Sequence, residues 1–156
     1  MDFSTITDSL LIGTTPQLDD YDALRALSVR LIINMRFDHR LQPDRHRPPL
    51  AILWLRSFDM PLLPIPLRLL RRGAREALTT IAEGGKVYVH CRQGRHRSVA
   101  MGAAILIAQG HSAEQAVRLI KQRRAAADPD AWHIRWRIRR FAETWENHRL
   151  SSTRST

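Results

Sequence analysis

Residues 87–98 read Val-Tyr-Val-His-Cys-Arg-Gln-Gly-Arg-His-Arg-Ser, which sets a thiol, an arginine six positions later and a hydroxyl directly after that arginine into one short run. Cys91 is the only cysteine of the 156 residues. A thiol in an electropositive setting ionises and becomes a nucleophile. The run lies between an apolar β-like stretch, Val87 to Val89, and an apolar helix-like one, Val99 to Ala108. Strand, short loop and helix N-terminus in that order make an anion cradle, because backbone N–H groups and the helix dipole converge there. A lone cysteine is more often a small buried hydrophobe. Yet His90, Arg97 and Ser98 would fall at these offsets by chance roughly once in a thousand chains of this composition.

If the anion is a phosphate monoester, each residue type has a task. The N–H groups of residues 92 to 97 can converge on the phosphate oxygens, with Gly94 relaxing the backbone so that they point inward. Arg97 offers a planar fork that matches two equatorial oxygens and gains in strength as charge spreads in the transition state. The same positive field should hold the Cys91 pKa below the ~8.5 of a free thiol. Ser98 can donate a hydrogen bond to the sulfur and ease its departure. The leaving oxygen needs a proton from a carboxylic acid elsewhere. Asp38, Asp44, Asp59, Glu76 and Glu83 are upstream. Asp59 lies just beyond the apolar stretch Ala51 to Leu55, at the end of a candidate strand, and Asp38 is the reserve.

The His-Cys-x5-Arg-Ser pattern, His90 to Ser98, resembles the loop of cysteine-dependent protein tyrosine phosphatases. The short chain is similar to their dual-specificity branch, and the resemblance runs from Ile6 to about Trp145. It implies that Cys91, Arg97, Ser98 and Asp59 are catalytic, since the offset of 32 positions from Asp59 to Cys91 is similar to the branch's general-acid spacing. It also implies that His90 orders a phosphate loop formed with Arg92, Gln93, Gly94, Arg95 and His96. The reaction would pass through a phosphocysteine with no metal and no cofactor, and the sequence has neither a zinc-spaced Cys/His cluster nor a Walker-type loop. Many dual-specificity protein phosphatases carry small or neutral residues where this chain has Arg92, Arg95 and His96. Basic residues at the first two positions look like phosphoinositide and phosphatidylglycerophosphate phosphatases of the same superfamily, and Gln93 stands where Ala is usual. A phosphorylated protein is therefore the expected substrate, with an anionic phospholipid, and peripheral contact with an anionic membrane, as the alternative. Two other classes compete. Rhodanese-type sulfurtransferases share a Cys-Arg-x-Gly start, but their loop is typically one residue shorter. A non-catalytic phosphate-binding module would not need the complete set of nucleophile, arginine, hydroxyl and acid.

The elements that must position these residues are legible in outline. Apolar β-like runs occupy Leu10 to Ile12, Val29 to Met35, Ala51 to Leu55 and Val87 to Val89. Helical patterns follow at Asp20 to Leu27, Leu67 to Glu83 and Val99 to Gln109, the last ending at Gly110. Ser112 with Gln115 reads as a capping box for a helix through Arg124. Asp128-Pro129 reads as the start of a final helix with the stripe Ile134, Ile138, Phe141 and Trp145. This alternation predicts a single α/β domain, residues 1–148, whose central, mostly parallel sheet of four to five strands is flanked by helices, with a flexible tail at 149–156.

Composition bounds the rest. One cysteine fits a reducing cytoplasm, no signal peptide is visible, and no apolar run is long enough to span a bilayer. The formal net charge of +10 comes almost wholly from arginine, Lys86 and Lys121 being the only lysines. It favours polyanionic partners without naming one. The segment Arg36 to Pro49 is expected on the active-site side. Arg135, Arg137, Arg139 and Arg140 are read as a solvated helix face rather than a nucleic-acid surface, and a monomer is expected.

Overall fold

The computed structural model describes residues 1–154. Five strands, β1 (Phe3–Thr7), β2 (Leu10–Gly13), β3 (Val29–Arg36), β4 (Ala51–Ser57) and β5 (Lys86–His90), form one sheet in the order β1-β2-β5-β3-β4. β1 and β2 make an antiparallel pair, whereas β2, β5, β3 and β4 run parallel. The single-domain α/β layout is the expected one, with β1 as the fifth strand. Phe3-Ser-Thr-Ile-Thr is half polar and buries only Ile6, so it carries little of the apolar signal that marked the other four.

Period-two alternation divides the sheet's side chains between two cores. Leu10, Ile12, Leu31, Ile33, Met35, Val87 and Val89 face the larger core, beneath α2 (Leu67–Ala82), α3 (Arg97–Ala108), α4 (Ala113–Arg123) and α5 (Trp132–Thr153). Leu11, Ile32 and Tyr88 face a smaller one closed by Tyr21 and Leu24 of α1 (Tyr21–Ala26). Central strand β5 carries the reactive loop, and α3 behind it is buried from Ser98 to Ile107. Full burial of a large apolar side chain contributes roughly 1.5–3 kcal/mol. The wholly buried Val99, Met101, Ile105 and Leu106 therefore fix α3, and with it the loop's far end.

Helix ends differ informatively from the sequence reading. The Ser112 box forms as expected: Ser112 Oγ accepts from the Gln115 N–H (3.1 Å), and the Ser112 N–H donates to Gln115 Oε1 (2.9 Å). α3 begins two residues earlier than expected, so Arg97 and Ser98 lie in its first turn. α5 begins at Trp132 rather than at Asp128-Pro129. The Asp128 N–H donates to Arg95 O (3.0 Å) and its Oδ1 accepts the Ala131 N–H (3.2 Å), which makes residues 128–131 a turn tied to the reactive loop. At its other end α5 continues through residues 149–153, inside the segment read as a tail, and residues 155 and 156 lie outside the described residues. No helix among the described residues is long and apolar enough to cross a membrane.

Candidate active site

Between β5 and α3 the chain makes a loop at the carboxyl end of the sheet, where parallel sheets bind ligands. Cys91 lies at its base, 3 % exposed. Its Sγ is 3.2 Å from Ser98 Oγ, and the N–H groups of Arg95 and Ser98 also reach the sulfur. Burial alone pushes the thiol's pKa up. The Ser98 hydroxyl, the two N–H groups and the Arg97 charge outweigh that, and the pKa lies below its ordinary value.

The loop's N–H groups can turn inward because its carbonyls are held outward. Cys91 O accepts from Thr15 Oγ1 (3.1 Å), Gln93 O from Arg124 Nη2 (3.2 Å), Gly94 O from Arg124 Nε (2.8 Å), and Arg95 O from the Asp128 N–H (3.0 Å). The buried Arg124 also reaches Ser4 Oγ (3.2 Å) and Asp2 Oδ2 (3.0 Å), so one guanidinium ties the loop to the N-terminal strand. Gly94 has φ +63°, in the left-handed region, and a Cβ there would come within 2.6 Å of Arg124 Nη2 and 2.7 Å of Gly13 O.

Arg97 is anchored on one side only. Its Nη1 donates to Ser57 O (2.9 Å), with Met35 O further away at 3.4 Å. Its buried Nε has no partner among the described residues. A buried guanidinium N–H without an acceptor is costly, and a phosphate oxygen is a fitting acceptor for it. His90 lies directly before the loop. It is fully buried, its Nδ1 is 3.4 Å from Cys91 O, and its Nε2 has no partner. Burial pushes its pKa down to about 3, which leaves a neutral ring. Thr15, Arg124 and Asp128 hold the loop's carbonyls from outside it.

The carboxylates separate clearly. Asp59, just beyond β4, has Oδ2 2.9 Å from His96 Nδ1, and its Oδ1 is 3.3 Å from His133 Nε2 at the start of α5. It therefore touches the reactive loop directly. Burial pushes its carboxyl up, but the hydrogen bonds to both histidines, with the His96 and Arg97 charges, outweigh this and hold it below the usual range. Asp38, the reserve acid, is exposed and gripped by Arg36 Nε (3.1 Å) and Nη2 (2.9 Å); chiefly through that hydrogen bond its pKa falls to about 2. Asp44 is buried among Arg25 and the N–H groups of His46 and Leu50, a structural setting. Glu76 and Glu83 are exposed on and after α2. Of the extra cationic groups, Arg92 and Arg95 are exposed together with Gln93; Arg95 Nη2 and His96 Nε2 each lie 3.4 Å from Asp128 Oδ2.

No family model matches the sequence. Among curated proteins, mouse "Dual specificity phosphatase 28" is 29 % identical over 129 residues, covering 82 % of this chain and 77 % of that protein. The crystal structure of PTPMT1 superposes with a TM-score of 0.81 at 25 % identity, covering 96 % of this chain and 99 % of that one. A structure of PTPMT1 in complex with PI(5)P gives 0.80 at 25 % identity over 94 % and 97 %. In sequence and in fold the chain is similar to cysteine-dependent phosphatases of the dual-specificity and PTPMT1 kind.

Set against these cysteine phosphatases, the residues that the sequence does not reveal are as instructive as those it does. Arg124, Thr15, His133 and Asp128 all meet the loop or Asp59, from four separate places in the chain. Arg124 is one of 25 basic residues, with no local sign that it turns inward while Arg123 stays exposed. His133 adjoins the exposed Trp132, where the arginine-rich pattern of α5 draws the eye to charge instead. On that helix, Arg137 Nε donates to Ile65 O (2.6 Å), Arg135 pairs with Asp130, and Arg140 pairs with Glu143 (3.1 Å).

Proposed function

We propose that this chain hydrolyses phosphate monoesters through a phosphocysteine, without a metal, and that its substrates are phosphorylated proteins of the tyrosine and serine/threonine classes. The observation that carries the reading is the pairing of a pKa-lowered Cys91 thiol, 3.2 Å from Ser98 Oγ, with the unpartnered Nε of Arg97 at the start of the same helix. Nucleophile and fork thus stand at the two ends of one short loop, Cys91 at its base and Arg97 in the first turn of α3, the closeness that near-attack positioning requires.

In the first step the Cys91 thiolate attacks phosphorus in line and the bond to the leaving oxygen breaks. The carboxylic acid of Asp59 gives that oxygen its proton. Arg97 and the inward N–H groups hold the equatorial oxygens as charge spreads over them. In the second step water attacks the phosphocysteine and the Asp59 carboxylate takes its proton. The sulfur departs as thiolate, stabilised by the Ser98 hydroxyl, and phosphate leaves with its fourth oxygen supplied by that water. The dual-specificity relatives support the protein substrate. The test is hydrolysis of an aryl phosphate in EDTA by wild type, Cys91→Ser and Asp59→Asn. Turnover by wild type, none by Cys91→Ser and a strongly slowed Asp59→Asn are expected; activity retained by Cys91→Ser would sink the mechanism.

A specific surface feature favours a second reading, a phospholipid substrate. The segment after Asp59 exposes Met60, Leu63 and above all Leu62 (87 %), and α5 exposes Trp132 and Trp136 beside its arginines. Apolar side chains among arginines at a site's edge suit an anionic bilayer, and PTPMT1 is known in complex with PI(5)P. Liposomal phosphoinositide compared with a phosphotyrosine peptide separates the two, and a strong lipid preference replaces the first reading with the second.

A further inference from the structure

The sequence offers no metal-ligand spacing, yet the fold assembles one set of donors. Asp59 comes from the segment after β4, His96 from the reactive loop and His133 from the first turn of α5. One carboxylate oxygen of Asp59, one ring nitrogen of His96 and one of His133 all lie within 4.8 Å of one another. Around a tetrahedral Zn²⁺ with bonds of about 2.0–2.1 Å, ligand atoms are roughly 3.4 Å apart. Asp59 Oδ2 is 2.9 Å from His96 Nδ1 and its Oδ1 is 3.3 Å from His133 Nε2, spacings close to that value although each ring now meets a different oxygen.

A second observation concerns the outer side of His96. Its Nε2 is 3.4 Å from Asp128 Oδ2, the carboxylate–imidazole arrangement that orients a metal-ligating histidine and raises its basicity. Asp128 is itself fixed, through its N–H to Arg95 O and its Oδ1 to the Ala131 N–H. Two imidazoles and one carboxylate suit Zn²⁺ better than Mg²⁺ or Ca²⁺, which call for more oxygen ligands. All three side chains are reachable from solvent, at 35 % exposure for Asp59, 21 % for His96 and 16 % for His133.

We propose that Asp59, His96 and His133 form a Zn²⁺-binding site at the mouth of the phosphate loop, and that zinc there switches the phosphatase off. Zinc is an inhibitor in this scheme, not a cofactor. The inhibitory half rests on Asp59 as the proton donor: a carboxylate oxygen bonded to the metal cannot carry the proton that the leaving group needs. Coordination replaces the two hydrogen bonds that now join Asp59 to the histidines and leaves the fourth position for water or a substrate oxygen.

The site is tested first without turnover. Zinc chloride is titrated calorimetrically into Cys91→Ser protein free of any histidine tag, so that the thiolate cannot contribute. One-to-one binding is expected. It should weaken at least tenfold in both His133→Ala and His96→Ala on that background, by roughly tenfold in Asp128→Asn, and not at all in His148→Gln, remote on α5. Affinity unchanged in both histidine variants, or no binding, overturns the site. Circular dichroism keeps the comparison to folded variants. Inhibition is then read on wild type with an aryl phosphate: zinc should stop turnover, EDTA should restore it, and His133→Ala should resist the same zinc concentration. Site-specific binding without inhibition overturns the switch. A wild type inert even in EDTA counts against the phosphatase reading, while the calorimetric result still decides the site.

Discussion

The phosphate loop and the acid corner face each other across the same site, but they are built in different ways. Cys91 to Arg97 are contiguous, and the carbonyls of Cys91, Gln93, Gly94 and Arg95 are each held by a donor from outside the loop, among them the 2 %-exposed Arg124. Hydrogen bonds to a buried charge contribute roughly 1.5–3 kcal/mol, against about 0–1 kcal/mol for an exposed ion pair. The acid corner depends on the second kind: Asp59, His96, His133 and Asp128 meet through partly exposed side chains drawn from distant parts of the chain. The difference matches what each half must do. Dipoles aimed at a developing negative charge stabilise it best when they need not reorganise. A proton donor must exchange its proton every turnover and benefits from groups that respond to their surroundings.

The sharpest way to break the comparison is at the nucleophile. Cys91→Ser should lower turnover of an aryl phosphate by roughly 10⁴-fold or more, the scale seen when a covalent nucleophile is removed. In the acid corner the effect should depend on the substrate. Asp59→Asn should slow hydrolysis by roughly 10²–10⁴-fold where the leaving oxygen is basic, and far less for a good leaving group such as p-nitrophenolate. A loss equal for both leaving groups would take the proton-donor role away from Asp59.

Arg124 tests whether the loop owes its competence to its supports. Arg124→Ala frees the carbonyls of Gln93 and Gly94, and losing charged hydrogen bonds of this kind predicts a fall of about tenfold or more in kcat/KM and in vanadate affinity. Arg124→Lys should not rescue it, because one ammonium cannot span the four acceptors that the planar fork now reaches. An unaltered vanadate affinity in Arg124→Ala would show that the loop holds its own shape.

The same contrast explains what could be read from the chain. The nucleophile, the arginine fork and the hydroxyl lie within eight consecutive residues, and β5 and α3 around them are marked by unbroken apolar runs. Periodicity therefore located the central strand, the buried helix and the stripe Ile134, Ile138 and Phe141. It missed β1, whose edge position spares it from burying alternate side chains, and it started α5 too early, because Asp128-Pro129 has the composition of a helix start. Only contacts across the fold show that Asp128 is spent on Arg95 O instead. Asp59 was reached through its place after a strand, but nothing local joins it to His96 and His133, 37 and 74 residues away. Local pattern fixes elements, while partners that meet only through topology leave no local trace.

The smallest effect, and the one most particular to the acid corner, is a displacement along the pH axis. Two histidine hydrogen bonds help hold the Asp59 carboxyl below the usual range despite its partial burial. In its proposed role of proton donor it must be protonated, so the acid form becomes scarcer as pH rises, and kcat/KM should fall on the alkaline side. The Cys91 thiolate sets the opposite limb, and despite burial the thiol's own pKa is lowered by the Ser98 hydroxyl, the loop N–H groups and Arg97. Removing the His133 hydrogen bond in His133→Ala lets the Asp59 pKa rise. The alkaline limb should then move to higher pH while the acidic limb, governed by Cys91, stays in place. The check is a kcat/KM profile for a poor-leaving-group aryl phosphate, wild type against variant, in EDTA so that adventitious metal plays no part. Asp59→Asn should show no such limb at all. A limb that stays in place in His133→Ala would mean that the His133 hydrogen bond does not set the Asp59 pKa, while leaving the phosphate loop as described.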